Sequence, residues 1–225
     1  MNKPLDKSKI KAAVKRRKQQ VYTPVDPEQQ LGFIHHNVDC IGCRACEIAC
    51  KDKNGLAPGP RFRRVSYIEG GDFPDVFAYK VNMSCNHCAQ PACLPTCPTG
   101  AIFKRQQDGI VDIDSTLCIG CRRCEAACPY GAPQFDPSDN LVKKCNMCVD
   151  EIDAGRKPYC VMACMMRVLD IGPIDQLDSG SFETTAIGPN DQPVRQVKNM
   201  ADPKLTNPSI RFIAHTKGNV ENENS

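Results

Sequence analysis

The chain has 225 residues, with 16 cysteines, no tryptophan and a formal net charge of +3. Leu, Ile, Val and Phe number 47, about 21%, close to the level below which chains do not form an ordinary packed core, so disulfides or metal must supply part of one. No uncharged apolar run approaches the roughly 20 residues of a membrane span. Polar residues from Gln19 to Pro27 follow Arg16-Arg17 where an export signal needs an apolar segment, so neither a transmembrane helix nor a signal peptide is expected.

Residues 1–31 read as a basic N-terminal arm. Eight basic side chains precede residue 20 against one acid, Asp6, and a Pro/Gln/Glu stretch runs from Pro24 to Gln30. A solvated or partner-ordered arm is expected, with Ile10, Val14 and Val21 at near-helical spacing as the sign of a short amphipathic helix.

Residues 32–174 hold every cysteine, in four groups of four: Cys40, Cys43, Cys46, Cys50; Cys85, Cys88, Cys93, Cys97; Cys118, Cys121, Cys124, Cys128; and Cys145, Cys148, Cys160, Cys164. Groups one and three share C-I-G-C-R-x-C-E-x-A-C. Groups two and four open C-N-x-C and place Pro91 and Pro158 two residues before the third cysteine. Two copies of a two-group unit follow. Between the groups, Val76 to Val81 and Ile110 to Ile113 are β-prone, and Asp108-Gly109 suits a hairpin turn. Residues 175–225 lack cysteine and intersperse Pro189, Pro193, Pro203 and Pro208 with polar stretches. They read as an extended tail laid over a surface and disordered near Glu221 to Ser225.

Cysteines at i, i+3 and i+6 with a fourth at i+10 and then proline form the bacterial ferredoxin run, whose fourth thiolate serves another cluster. Group three, ending Cys128-Pro129, fits throughout; Lys51 replaces the proline in group one, group two widens one gap, and group four opens a long loop before Met165. Four tetrahedral zinc ions could use sixteen thiolates, but structural zinc draws on separated C-x2-C pairs. Disulfides at such spacing would be strained. Sixteen thiolates leave no ligand role for His35, His36, His87 or His215. Four oxidised 4Fe-4S cores with their thiolates contribute about −8. The body is then acidic beneath a basic arm, which favours contact with a partner or anionic lipid over nucleic acid. Arg44, Arg122 and Arg123 sit between ligand positions, where positive charge favours a reduced cluster or simply faces solvent. The loops holding Gly42, Gly120, Asn86 and Asn146 would let backbone amides approach cluster sulfur.

Ser84 begins S-C-N-H-C-x-x-P-A-C, Cys97 begins C-P-T-G-A-I, Cys118 begins C-I-G-C-R-x-C-E-x-A-C-P-Y-G-A-P-Q, and Arg167 begins R-V-L-D-I-G-P-I-D. With group one, these segments resemble the iron-sulfur electron-transfer subunit of the bacterial dimethyl sulfoxide reductase family over about residues 39 to 177. A-D-P-K-L-T-N-P-S-I from Ala201 resembles the family's tail. The long basic arm and Met165 depart from the pattern. The resemblance implies an α+β fold of two ferredoxin-like modules with crossed cysteine ligation, small sheets and short helices around four cubane 4Fe-4S clusters, and extended termini. It pairs Cys40, Cys43 and Cys46 with Cys164; Cys145, Cys148 and Cys160 with Cys50; Cys85, Cys88 and Cys93 with Cys128; and Cys118, Cys121 and Cys124 with Cys97. The clusters would relay electrons between a quinol-oxidising membrane anchor and a molybdopterin catalytic subunit, with no bond chemistry in this chain. The complex would lie on the outward, periplasmic face of the cytoplasmic membrane, exported with its partner. The alternatives are the same subunit of another molybdenum or tungsten enzyme acting on polysulfide, tetrathionate, selenate or formate, and a zinc-organised interaction module.

Overall fold

A computed structural model describes residues 6–20, 25–26, 28–188 and 190–215, with backbone alone for 16–20. In chain order the elements are α1 (Lys7–Gln20), β1 (Leu31–His36), α2 (Ala45–Lys53), β2 (Arg64–Gly70), β3 (Phe77–Met83), α3 (Cys93–Thr96), β4 (Ile102–Lys104) and β5 (Val111–Ile113). There follow α4 (Arg123–Ala127), β6 (Gln134–Asp136), β7 (Leu141–Lys143), α5 (Val149–Asp153), α6 (Tyr159–Met162), β8 (Leu169–Pro173), α7 (Ile174–Ser179), a 3-10 turn (Pro203–Leu205) and β9 (Ile210–Ile213). The architecture is α+β, built from small sheets and short helices.

Strand β1 is buried along its middle, with Phe33 and Ile34 fully enclosed, because it is paired on both edges. On one side β8 runs antiparallel, from Leu31 opposite Pro173 to His35 opposite Leu169. On the other β9 runs parallel, from Phe33 opposite Ile210 to His36 opposite Ile213. All four residues of β9 are buried, and Val194 and Phe212 form a further antiparallel bridge. The segment expected to lie over a surface therefore supplies a strand of the central sheet, and Val194, Val197, Ile210 and Phe212 join its core. The end near Glu221 to Ser225 lies outside the described residues.

Three hairpins surround this sheet: β2 with β3, β4 with β5, and β6 with β7. The β4–β5 connection is wider than a two-residue turn. The Arg105 amide donates to Ile110 O at 2.8 Å, and the Asp108 carboxylate accepts from the Ile110 amide at 3.0 Å. Helix α2 packs on α6, and α3 on α4, so elements of cysteine groups one and four lie together, as do those of groups two and three. Cysteines are part of the apolar core: Cys46, Cys50, Cys85, Cys145 and Cys160 belong to its largest cluster, and Cys93, Cys97 and Cys124 to the second.

The N-terminal arm is helical. Asp6 caps α1, accepting from the Ser8 amide at 2.9 Å and the Ser8 hydroxyl at 2.6 Å. Ala13 is buried, and Ile10 packs beside it, in the cluster that contains Leu94, Ala101 and Ile102. Lys7, Lys9, Lys11 and Lys15 face solvent. The arm expected to be solvated is thus laid against the body along one apolar stripe, as its Ile10 and Val14 spacing allows; Val21 falls outside the described residues.

Candidate metal centres

All sixteen cysteines are free thiols. Cys85, Cys88, Cys93 and Cys128 line one cavity, of about 350 Å³, together with Pro129, Ala132 and Lys144. Cys97, Cys118, Cys121 and Cys124 line a second, of about 310 Å³, with Ile102, Arg122 and Val142. Cys40, Cys43, Cys46 and Cys164 line a third, of about 320 Å³, with His35, Asn82 and Met166. Each cavity holds three cysteines of one run and one from another group. The remaining four, Cys50, Cys145, Cys148 and Cys160, are all buried, and charge on Cys145, Cys160 and Cys148 acts on the Cys50 thiol.

The loops that hold these thiols repeat one geometry. Gly42 and Arg44 in the first run have φ of 71° and 60°, and Gly120 and Arg122 in the third have 67° and 60°. Left-handed residues at the same two places curl both loops tightly, a bend that glycine accepts without strain. The arginine at each bend covers an aromatic ring: Arg44 lies 5.5 Å from the Tyr67 centroid and Arg122 lies 5.2 Å from that of Phe135. Arg44, Arg122 and Arg123 are all exposed.

A single tetrahedral ion needs ligands converging on one point. Among the described residues no three His, Cys, Asp or Glu side chains do so; the thiols stand around spaces instead. The donor sets are wholly sulfur, which suits zinc or iron-sulfur groups, and four thiols around a space suit a polynuclear group. Their protonation agrees. Burial pushes Cys88 up to about 12 and Cys124 and Cys145 up to about 11. Cys50 and Cys93 are also raised by burial, then by neighbouring thiols. Thiolates therefore form here only around a positively charged core.

Hydrogen bonds already reach several sulfurs. The Asn82 side-chain amide donates to Cys46 Sγ at 3.3 Å and that of Asn54 to Cys50 Sγ at 3.7 Å. Backbone amides of Met147 and Ala132 donate to Cys145 Sγ at 3.3 Å and Cys128 Sγ at 3.5 Å. Asn146 instead accepts from the Cys148 amide at 3.1 Å, bracing the loop rather than touching sulfur. His87 is fully buried and held neutral by burial and nearby cations; its Nδ1 accepts from the Val111 amide at 3.0 Å. His35 is likewise neutral, pushed down to about 3 by burial.

Asn82, Asn54, Arg63 and Lys144 carry no motif in the sequence, yet the fold brings all four to the cysteines. Arg63 is 1% exposed and Lys144 5%. Guanidinium donors of Arg63 reach Asn82 Oδ1 at 2.9 Å and Ser84 Oγ at 3.1 Å, and its plane lies 4.3 Å from the Phe33 centroid. Lys144 Nζ donates to Val111 O and, at 2.9 Å, to Cys145 O. A polar residue preceding a ligand, such as Lys144, is a weak signal by itself; nothing local marks Arg63.

Residues 76–174 match the family described as a 4Fe-4S dicluster domain. The iron-sulfur subunit of anaerobic dimethyl sulfoxide reductase from Escherichia coli is 41% identical over 201 residues, covering 84% of this chain and 98% of that protein. The chain belongs to the family of dimethyl sulfoxide reductase iron-sulfur subunits. The Haemophilus influenzae member is 42% identical over 170 residues, covering 72% of this chain and 82% of its own length. The iron-sulfur subunit of sulfite dehydrogenase from Allochromatium vinosum is 38% identical over 171 residues, covering 67% of this chain and 71% of its own length. The chain is thus an iron-sulfur electron-transfer subunit of the dimethyl sulfoxide reductase type. Among its described residues no helix is long and apolar enough to cross a membrane.

Proposed function

We propose that the chain relays electrons through four 4Fe-4S clusters, held in two ferredoxin-like modules, between a quinol-oxidising membrane anchor and a molybdopterin catalytic subunit of the dimethyl sulfoxide reductase type. The observation that carries this reading is the mixed lining of the three cavities, each with three cysteines from one run and a fourth from another group. Cluster 1 would be held by Cys40, Cys43, Cys46 and Cys164; cluster 2 by Cys50, Cys145, Cys148 and Cys160; cluster 3 by Cys85, Cys88, Cys93 and Cys128; cluster 4 by Cys97, Cys118, Cys121 and Cys124. The module of clusters 1 and 2 corresponds to the α2–α6 packing, and that of clusters 3 and 4 to the α3–α4 packing.

A 4Fe-4S group supplies one-electron chemistry without a change in bonded atoms. The chain's residues do the rest. Buried thiols fix each group, Asn82, Asn54 and loop amides donate to sulfur, and apolar walls such as Val142 and Ile102 keep water from the second cavity. Cys43 and Cys121 are the only exposed cysteines of the sixteen. They belong to clusters 1 and 4, which makes those two the points of electron exchange with partners. The complex lies on the outward face of the cytoplasmic membrane, exported with its catalytic partner, and this chain attaches to it peripherally. The sulfite dehydrogenase relative supports a second reading, the same relay serving another oxidoreductase, because the relay does not touch the substrate.

Anaerobic purification followed by iron and acid-labile sulfide analysis tests this reading. About sixteen of each per chain, in a brown protein, are expected. A colourless protein with four zinc ions would refute it.

A further inference from the structure

We propose that Arg63 and Lys144 are internal counter-cations of the relay, Arg63 raising the reduction potentials of clusters 1 and 2 and Lys144 those of clusters 2 and 3. The inference rests on the cluster assignment above and adds to it the residues that set the potentials.

Both side chains are buried, at 1% and 5% exposure. Neither has a carboxylate within ion-pair distance among the described residues, although surface cations such as Arg105, Lys143 and Arg156 do. A buried cation without an anion costs several kcal/mol, and a guanidinium cannot escape by losing its proton. Neutral groups alone face Arg63 from the surrounding protein: Asn82 Oδ1, Ser84 Oγ and the Phe33 ring. Its buried Nε has no partner.

The groups that can supply the missing anion are cysteines. Arg63 acts electrostatically on Cys160, Cys145, Cys46 and Cys50, so it stands where the first and second cradles meet. A relay of hydrogen bonds joins it to one of them, from Arg63 to Asn82 and from Asn82 to Cys46 Sγ. Lys144 lines the cavity of Cys85, Cys88, Cys93 and Cys128 and its Nζ donates to the carbonyl of Cys145. It therefore stands where the third cradle meets the second, with Asp112 as the nearest carboxylate acting on it.

Four thiolates around an oxidised core of about +2 leave about −2, and one added electron makes this about −3 without proton uptake. A fixed cation at low dielectric stabilises the second charge state more than the first. Cluster 2 touches both junctions and gains from both cations. Cluster 4 touches neither.

The test is a redox titration of the holo complex, with dithionite as electron donor, mediator dyes, and electron paramagnetic resonance resolving each cluster. In Arg63→Gln the reduced-to-oxidised ratio at a fixed potential should fall at least tenfold for clusters 1 and 2, about 59 mV for one electron, and stay within twofold for clusters 3 and 4. Lys144→Gln should do the same for clusters 2 and 3 only. Arg63→Lys and Lys144→Arg should restore parental ratios, which a purely steric role would not. Unmoved ratios, an equal fall in all four clusters, or a fall that the charge-conserving variants do not reverse would overturn the proposal. If Arg63→Gln loses iron, Arg63→Lys decides: parental iron and potentials support the charge role, and iron loss there too makes Arg63 a packing residue. The iron count of the parental protein separates the two readings. Fewer than four titrating clusters there contradicts the relay itself, whereas four clusters with unmoved potentials contradict only the role of the cations.

Discussion

The side-chain amide of Asn82, on β3, donates to the sulfur of Cys46, on α2, at 3.3 Å. A donor aimed at a ligand sulfur favours the reduced state, because the extra electron raises charge density on sulfur. Asn82→Leu removes it, along with the acceptor for Arg63. A hydrogen bond of this kind is worth about 1 kcal/mol, roughly 40 mV for one electron. The midpoint potential of cluster 1 should fall by about that amount in a redox titration, with clusters 3 and 4 unchanged. An unchanged cluster 1 would show that the contact has no electronic effect.

Cys121 is exposed, whereas Cys124 beside it is buried. In Cys121→Ser the cradle loses its outermost thiolate while Cys97, Cys118 and Cys124 remain. The resemblance supplies a precedent, since relatives in nitrate respiration carry Trp at this place and hold a 3Fe-4S cluster. The variant should lose one iron of about sixteen and gain a 3Fe-4S signal in the oxidised state, with the fold and the other clusters intact. Quinol-driven turnover should collapse while an artificial donor to later clusters still works. Absence of the new signal would reject Cys121 as a ligand or the position assigned to this cluster.

Gly100 has a φ of +68°, and a Cβ there would come within 2.8 Å of the Ala13 backbone carbonyl carbon. Backbone cannot yield as a side-chain tip can, and a left-handed non-glycine residue costs roughly 1–2 kcal/mol more. Gly100→Val should lift α1 from the body. Trypsin should then cut at Lys9, Lys11 and Lys15 at least tenfold faster than in the parent, with the iron content unchanged. Equal cleavage rates would mean that α1 is not held by this contact.

If the basic face of α1 docks on an acidic surface, deleting residues 2–20 should weaken retention of the complex at moderate salt, because exposed charge contacts are screened over about 10 Å at 0.1 M. The iron count should stay parental. Retention identical to the parent at every salt concentration would remove the arm from the interface.

Removing iron with a chelator under oxidising conditions should cost far more than the electron relay. Cys46, Cys50, Cys85, Cys145 and Cys160 sit inside the largest apolar cluster, and metal binding in such sites is folding free energy. Circular dichroism of the iron-free protein should show loss of the cooperative thermal transition, and reconstitution with iron and sulfide should bring it back. A persistent transition in the iron-free chain would show that the aliphatic core suffices.

What the sequence by itself determined is local. Cysteine spacing marked the four groups, Gly42 and Gly120 marked the bends inside two of them, and the β-prone run near Val76 marked the strand found at Phe77–Met83, because such features depend on neighbours a few residues apart. The quoted segments also carried the family resemblance. Only the tertiary structure decided which distant residues meet. Strand β9 pairs with β1 from the far end of the chain, and its run Ile210–Ile213 is too short to announce a central strand amid polar sequence. Helix α1 lies on the body through Ala13 and Ile10, a stripe too narrow to outweigh its lysines on paper. Arginines within the cysteine motifs drew attention yet lie on the surface, whereas Arg63 lies outside every motif and is buried between two sets of thiols. Burial of a charge is a property of everything packed around it, and side chains from α2, β3 and the Cys145–Cys160 segment converge on Arg63 only once the chain has folded.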